Sequence, residues 1–289
     1  MSLEEQVLRW CALQIRHGQR PVIGLNGPVG AGKSTLARRL QELFAAAGLE
    51  LAVASIDDAY LPWPQRLAAM AGNPYGVNRV PPGSHEPEAL RQGVRRWRSA
   101  PDRILELPRF EKTLRDGQGD RVEPWRGPAD ALLLEGWMLA CQPVEDLEAA
   151  ISALQGRFSA DELAWWQRCN QALEAYLPLW QELDHLVMLW PSSWRWPRRW
   201  RLQAEARQRR RGGGWMPAAE LNRLVTATLQ SLPPDLYQQP VLARANSVRV
   251  LDQRRRSVWE GSGEAALARA GRCAAAGGLD AGLPTRRGS

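Results

Sequence analysis

Residues 20–35 read RPVIGLNGPVGAGKST, Arg20 through Thr35. A short apolar run meets a glycine cluster, and a lysine, a serine and a threonine follow. From Gly27 to Ser34 the residues fit G-x-x-x-x-G-K-[ST], the pattern of a phosphate-binding loop. On one side, PVIGLN predicts a buried strand. On the other, residues 34–48, STLARRLQELFAAAG, predict an amphipathic helix that stops at Gly48. Strand, glycine loop and helix in that order are what the motif requires. They predict an α/β fold with a mostly parallel sheet and helices on both faces. The fingerprint G-x-G-x-x-G is absent from this stretch, which argues against a nicotinamide enzyme.

Each residue type has a physical reason. Glycines let the backbone turn its N–H groups toward a phosphate with no Cβ in the way. The helix that follows adds the partial positive charge of its N-terminus. Two of the 38 basic side chains are lysine, Lys33 and Lys112, and the rest are arginine. A lysine at position 33 is a compact charge that fits between β- and γ-phosphates, where the wide fork of arginine would not. Ser34 offers a hydroxyl to Mg²⁺. The candidate nucleotide contacts are therefore Gly27, Pro28, Val29, Gly30, Ala31, Gly32, Lys33, Ser34 and Thr35, and the implied ligand is ATP with Mg²⁺.

Composition narrows the class without choosing a function. With 289 residues, 44% hydrophobic and 24% charged, the chain has material for a sizeable core. No apolar run is long enough for a bilayer. The first twenty residues start acidic and read as an amphipathic helix, not as a signal peptide, so a cytoplasmic protein is expected. Cys11, Cys141, Cys169 and Cys273 are scattered and read as reduced packing thiols. A net charge of +7 suits either nucleic acid or small anionic ligands.

Two further strand candidates end in acids. LELAVASIDDAY, residues 49–60, closes on Asp57 and Asp58. In an open parallel sheet, ligands bind beyond the carboxyl ends of the strands. This strand is expected near the first, with Asp57 facing the nucleotide as a proton acceptor or a Mg²⁺ anchor. Asp58 could equally cap the next helix. ADALLLEGWML, residues 129–139, ends its buried run at Glu135, a second candidate for steering Mg²⁺.

Between these strands lie two polar stretches read as long loops, residues 73–90 and 107–125, and the second carries Lys112. HLVMLW at 185–190 is a short strand, residues 160–183 and 218–230 are helices, and SVRVLDQRRRSVWEG at 247–261 is a late edge strand. Residues 194–216 interleave tryptophan with arginine. They read as a base-stacking surface, a basic lid over phosphates, or a helix packed by its tryptophans. The expected domain is 1–260, with 194–216 as a lid-like segment and 261–289 as a poorly ordered tail rich in alanine and glycine.

Five segments together resemble the D-glycerate 3-kinase family of plants, cyanobacteria and fungi. That family groups with phosphoribulokinase, uridine kinase and pantothenate kinase. The segments are GPVGAGKSTLA (27–37), SIDDAYL (55–61), PRFEKTLRDGQGDR (108–121), LLLEGWML (132–139) and WRLQAE (200–205). RVPPGSHEPE (79–88) and NQALEAY (170–176) fit more loosely. The resemblance implies a P-loop NTPase fold and transfer of the γ-phosphoryl group of ATP to the 3-hydroxyl of D-glycerate. It implies Asp57 as the base, with Lys33 and Arg201 serving the phosphates. On the acceptor side it implies Asp58, Tyr60, His85, Arg109, Lys112 and Arg121. It implies small-molecule partners, with neither nucleic acid nor membrane. This chain departs from the family pattern at Ala59, where an aromatic residue is usual, and at Glu86 and Glu111, where aspartate is usual. Two rival readings are a kinase of the same group with another hydroxylated acceptor, and an ATP-binding regulatory protein.

Overall fold

The computed structural model describes residues 1–210 and 216–275. Its eight strands are β1 (Val22–Asn26), β2 (Leu51–Ser55), β3 (Ile104–Glu111), β4 (Asp120–Pro128), β5 (Ala131–Gly136), β6 (His185–Pro191), β7 (Ser247–Leu251) and β8 (Ser257–Gly261). Six of them form one sheet in the order β2-β5-β1-β6-β7-β8, and β3 with β4 forms a separate two-stranded ribbon. Every pairing in the large sheet is parallel except β7 with β8.

Both faces of the sheet are covered, so its central strands are continuously apolar and show no alternation with polar residues. All five residues of β1 are buried. Ile23, Leu25, Leu133 and Leu189 pack on one face with Leu36, Leu40 and Phe44 of helix Lys33–Ala46 and with Leu3 and Val7 of helix Leu3–Arg16. Val22, Leu132, Leu134 and Met188 pack on the other face with Leu90, Val94 and Trp97 of helix Pro87–Ser99 and with Trp166 and Tyr237. Cys11, Cys141 and Cys169 are free and buried, and burial raises their thiol pKa, to about 12 for Cys11 and Cys169.

Four details differ from the sequence reading. First, β2 does not neighbour β1, because β5 lies between them; Glu135 is in register with Leu25 on one side and Ser55 on the other. Second, the stretch 107–125 is mostly β3 and β4, an antiparallel ribbon, and helix Pro87–Ser99 begins inside the other expected loop. Third, residues 247–261 form a hairpin of two strands. Asp252 accepts the backbone N–H of Arg254 at 2.7 Å and of Arg256 at 2.9 Å, which folds the chain into a tight turn. Fourth, the expected tail begins as helix Gly263–Ala275, with Ala266 buried in the core; residues 276–289 lie outside the described residues.

Candidate active site

The glycine loop leaves β1 at the carboxyl edge of the sheet. Gly30 and Gly32 take φ of +76° and +98°, a left-handed conformation that glycine adopts without strain. Gly30 also lies against helix Trp196–Arg210: a Cβ there would stand 2.8 Å from the Arg201 nitrogen. Gly32 caps helix Lys33–Ala46 without a side-chain hydrogen bond, so no side chain competes with a ligand for the first turn. Lys33 Nζ folds back and donates to the Gly27 carbonyl at 2.9 Å; Glu135 lies 3.6 Å from it. This pair closes one end of a cavity of about 910 Å³ lined by residues 30–36, Arg201, Arg207 and Arg255.

The second part of the site grows from the end of β2. A short 3₁₀ turn, Ile56–Ala59, carries Asp57, and β3 brings Lys112 to it across the sheet edge. Lys112 Nζ donates to Asp57 Oδ2 at 2.7 Å, and His85 Nε2 lies 3.8 Å from Oδ1. Burial alone would raise the Asp57 pKa. Lys112 and His85 outweigh it and hold the carboxyl well below the usual carboxylate range. Asp57 in turn raises the Lys112 pKa, so the pair is ionised at neutral pH. His85 is fixed by backbone pairing: Glu86 N–H donates to Ala59 O at 2.8 Å and Leu61 N–H to Ser84 O at 2.9 Å. Burial is the main cause that lowers the His85 pKa, which keeps the ring neutral.

The remaining sequence candidates occupy distinct places. Tyr60 is buried and its ring stacks on His85 with centroids 4.3 Å apart. Asp58 turns back on its own turn and accepts the Ser55 N–H at 2.8 Å, the capping role that the sequence left open. Arg121 donates to the Tyr60 and Ala59 carbonyls and, at 3.0 Å, to Glu86 Oε2. Arg109 stands exposed on β3. Glu111 accepts the Thr113 hydroxyl at 2.8 Å. Arg201 lines the cavity beside the glycine loop and pairs with Glu205 at 3.2 Å. Two tryptophans of the Trp/Arg stretch turn to packing: Trp200 is fully buried and donates to Gln253 O at 2.9 Å, and Trp196 donates to Ser192 Oγ at 3.1 Å. Residues 211–215 of the lid-like segment lie outside the described residues.

Sequence reasoning missed Arg255 and Tyr176. Arg255 reaches from the β7–β8 turn to the Gly30 carbonyl at 3.4 Å and the Trp200 carbonyl at 3.3 Å. The signal was Asp252 followed closely by three arginines, which predicts a turn that presents a basic side chain. Tyr176 lies 2.9 Å from His85 Nδ1, and nothing in its local sequence points to that contact.

No family model matches the chain. The uncharacterized kinase mug58 of Schizosaccharomyces pombe is 28% identical over 213 residues, which is 70% of this chain and 76% of that protein. The chloroplastic D-glycerate 3-kinase of Arabidopsis thaliana is 29% identical over 232 residues, covering 75% of this chain and 49% of that protein, about half its length. The solved D-glycerate 3-kinase of Cryptococcus neoformans var. grubii superposes with a TM-score of 0.77 at 25% identity, over 91% of this chain and 99% of that one. The fold is the α/β fold of P-loop kinases. No helix among the described residues is long and apolar enough to cross a membrane.

Proposed function

We propose that this chain, a member of the D-glycerate 3-kinase family, transfers the γ-phosphoryl group of ATP to the 3-hydroxyl of D-glycerate, giving 3-phosphoglycerate and ADP. The observation that carries the proposal is the 2.7 Å pair of Asp57 with Lys112 at the sheet edge where the glycine loop also lies. A bare ATP binder has no use for a carboxylate base beside an acceptor-side cation.

The residues fit the following division of work. The loop amides and Lys33 hold the β- and γ-phosphates. Arg201 and Arg255 bring further positive charge to the same cavity, where charge spreads over the transferring group. Lys112, Arg121 and Arg109 are the cations available to the glycerate carboxylate. The 3-hydroxyl oxygen attacks the γ-phosphorus, the bond to the β–γ bridging oxygen breaks, and the hydroxyl proton passes to Asp57. Among the described residues no three acidic, histidine or cysteine side chains gather as a metal cage. Ser34 and Glu135 are the residues that would hold Mg²⁺, a cation that takes oxygen ligands and keeps several waters. When bound, Mg²⁺ neutralises phosphate charge. Residues 1–260 would be one kinase unit, with helix Trp196–Arg210 over its phosphate cavity.

The test is ADP release by the purified chain with MgATP, comparing D-glycerate with L-glycerate, uridine, pantothenate and ribulose 5-phosphate. Turnover confined to D-glycerate, with 3-phosphoglycerate as product, is expected. Turnover on another acceptor alone would transfer the reading to a sister specificity, with Ala59, Glu86 and Glu111 as the positions to examine. Bound ATP with no turnover on any of them would favour a regulatory protein.

A further inference from the structure

Behind Asp57 lies a buried polar chain that the reaction as written does not use. His85 Nδ1 is 2.9 Å from the Tyr176 hydroxyl and 3.3 Å from Ser84 Oγ. Ser84 Oγ gives its proton to the Pro81 carbonyl at 2.6 Å, so toward His85 it can only accept. The Tyr176 oxygen accepts the Gly83 N–H at 3.1 Å, which leaves its own proton for Nδ1. On the far side of the ring, Nε2 is buried with no hydrogen-bond partner and looks toward Asp57 Oδ1 at 3.8 Å.

Two neutral tautomers are available. With the proton on Nδ1, the Tyr176 O–H loses its acceptor and the Nε2 lone pair faces a carboxylate. With the proton on Nε2, Tyr176 donates to Nδ1 and an N–H points at Asp57. The second gives the Tyr176 proton its acceptor and turns an N–H toward the carboxylate, leaving only Ser84 Oγ without a donor; the first lets Nδ1 donate but strands the Tyr176 proton and sets the Nε2 lone pair against Asp57. Lys112 already holds the other carboxylate oxygen, Oδ2, so the two donors would fix the plane of the carboxylate between them.

We propose that Tyr176 and His85 are positioning residues for Asp57: the Tyr176 hydroxyl holds His85 in the Nε2–H tautomer, and that N–H aims the Asp57 carboxylate at the acceptor hydroxyl. This rests on the reading of Asp57 as the base. His85 is not itself a second base in this arrangement. Full burial opposes its charging, as do the nearby cations Lys112 and Arg121. Contacts of this kind tighten when substrate arrives, which suits the 3.8 Å separation.

The chain has three histidines, so imidazole ¹⁵N resonances of the ¹⁵N-histidine-labelled protein report the tautomer directly. Wild type is expected as Nε2–H at His85, and Tyr176→Phe as Nδ1–H. Tyr176→Phe should lower kcat about tenfold, the size of one hydrogen bond to a charged group, with the KM for MgATP unchanged. His85→Gln, which keeps an N–H donor and has no tautomer to set, should retain more activity than His85→Leu. Adding Tyr176→Phe to His85→Gln should cost nothing further, a coupling that loss of packing would not produce. Nδ1–H in the wild type overturns the inference, as does a tautomer switch in Tyr176→Phe with kcat intact. Asp57→Asn separates the two levels. Wild-type turnover in that variant removes the base reading itself, whereas an inactive Asp57→Asn beside a fully active Tyr176→Phe removes only the positioning role.

Discussion

At the scale of single residues, the two lysines mark the two halves of the site. Lys33 lies at the loop and Lys112 beside Asp57, on the proposed acceptor side, and the second makes the sharper prediction. Two opposing causes set the Asp57 pKa: burial pushes it up, and Lys112 foremost, with the His85 ring beside it, pushes it further down. A carboxyl depressed in the folded state adds stability above its unfolded value, about 3.9, and loses that stability as pH falls through the folded value. Lys112→Met removes the larger depressing influence and leaves burial in charge. The acid limb of its kcat profile should then lie at higher pH than that of wild type. The same variant should raise the KM for D-glycerate and leave the KM for MgATP near wild type. A pH profile of the variant that overlays the wild-type curve would show that Lys112 does not govern the base.

At the scale of elements, the β3–β4 ribbon decides where Lys112 stands, and one buried arginine fixes the ribbon. Arg66, fully buried in helix Trp63–Met70, donates to the Leu61 carbonyl at 2.7 Å, to Gln118 at 2.8 Å and to Gly119 at 2.7 Å, with its guanidinium over the Phe110 ring. Arg66→Met would strand three carbonyls, at about 3 kcal/mol in total. Urea unfolding should show that loss, and steady-state kinetics should show a raised KM for D-glycerate with MgATP binding preserved. The glycine loop has its own element-scale constraint. Gly30→Ala places a Cβ at positive φ, 2.8–2.9 Å from the backbone of Trp200 and Arg201. Calorimetry should find ATP binding weakened at least tenfold, because the loop or the helix must shift. These elements also show what was legible. The loop, its strand and its helix follow from glycine spacing and an uninterrupted apolar run. The ribbon does not: β4 is largely exposed and carries charge along its length, so it has no apolar face to read. Helix Pro87–Ser99 carried the spacing of Leu90, Val94 and Trp97, but its arginines and the proline-rich lead-in obscured it. Asp57 was legible as an acid after a strand, whereas the Tyr176–His85 contact joins residues 91 apart and has no local trace.

At the scale of the whole molecule, the cavity beside the glycine loop is walled by segments far apart in the sequence, from the first helix and from the β7–β8 hairpin, and a buried ion pair ties those segments together. Arg249 on β7 donates to both carboxylate oxygens of Glu4 in the first turn of helix Leu3–Arg16, at 2.9 and 2.5 Å, and to Glu260 on β8 at 2.6 Å. Glu4 is 9% and Arg249 13% exposed, so water screens the pair little. The Arg249 hydrogen bond is the chief cause of the lowered Glu4 pKa. Arg249→Met would leave the Glu4 carboxylate buried beside Glu260 with only the more distant Arg39 opposite it, at 3.9 Å. Breaking one partner of such a pair costs about 3 kcal/mol at neutral pH. The sign of the pH dependence follows from the direction of the shift. The contribution is complete above the unfolded glutamate value, about 4.3, and disappears as pH falls through the lower folded value. Urea unfolding at pH 7 should therefore separate wild type from Arg249→Met clearly. At about pH 3.5 the difference should shrink, because the protonated carboxyl no longer needs its partner. A gap of equal size at both pH values would mean that Arg249 contributes through its buried stem and not through its charge. Because the same hairpin carries Arg255 onto the glycine loop, the variant should also weaken MgATP binding in proportion to its loss of stability, and saturating MgATP should restore part of its thermal stability.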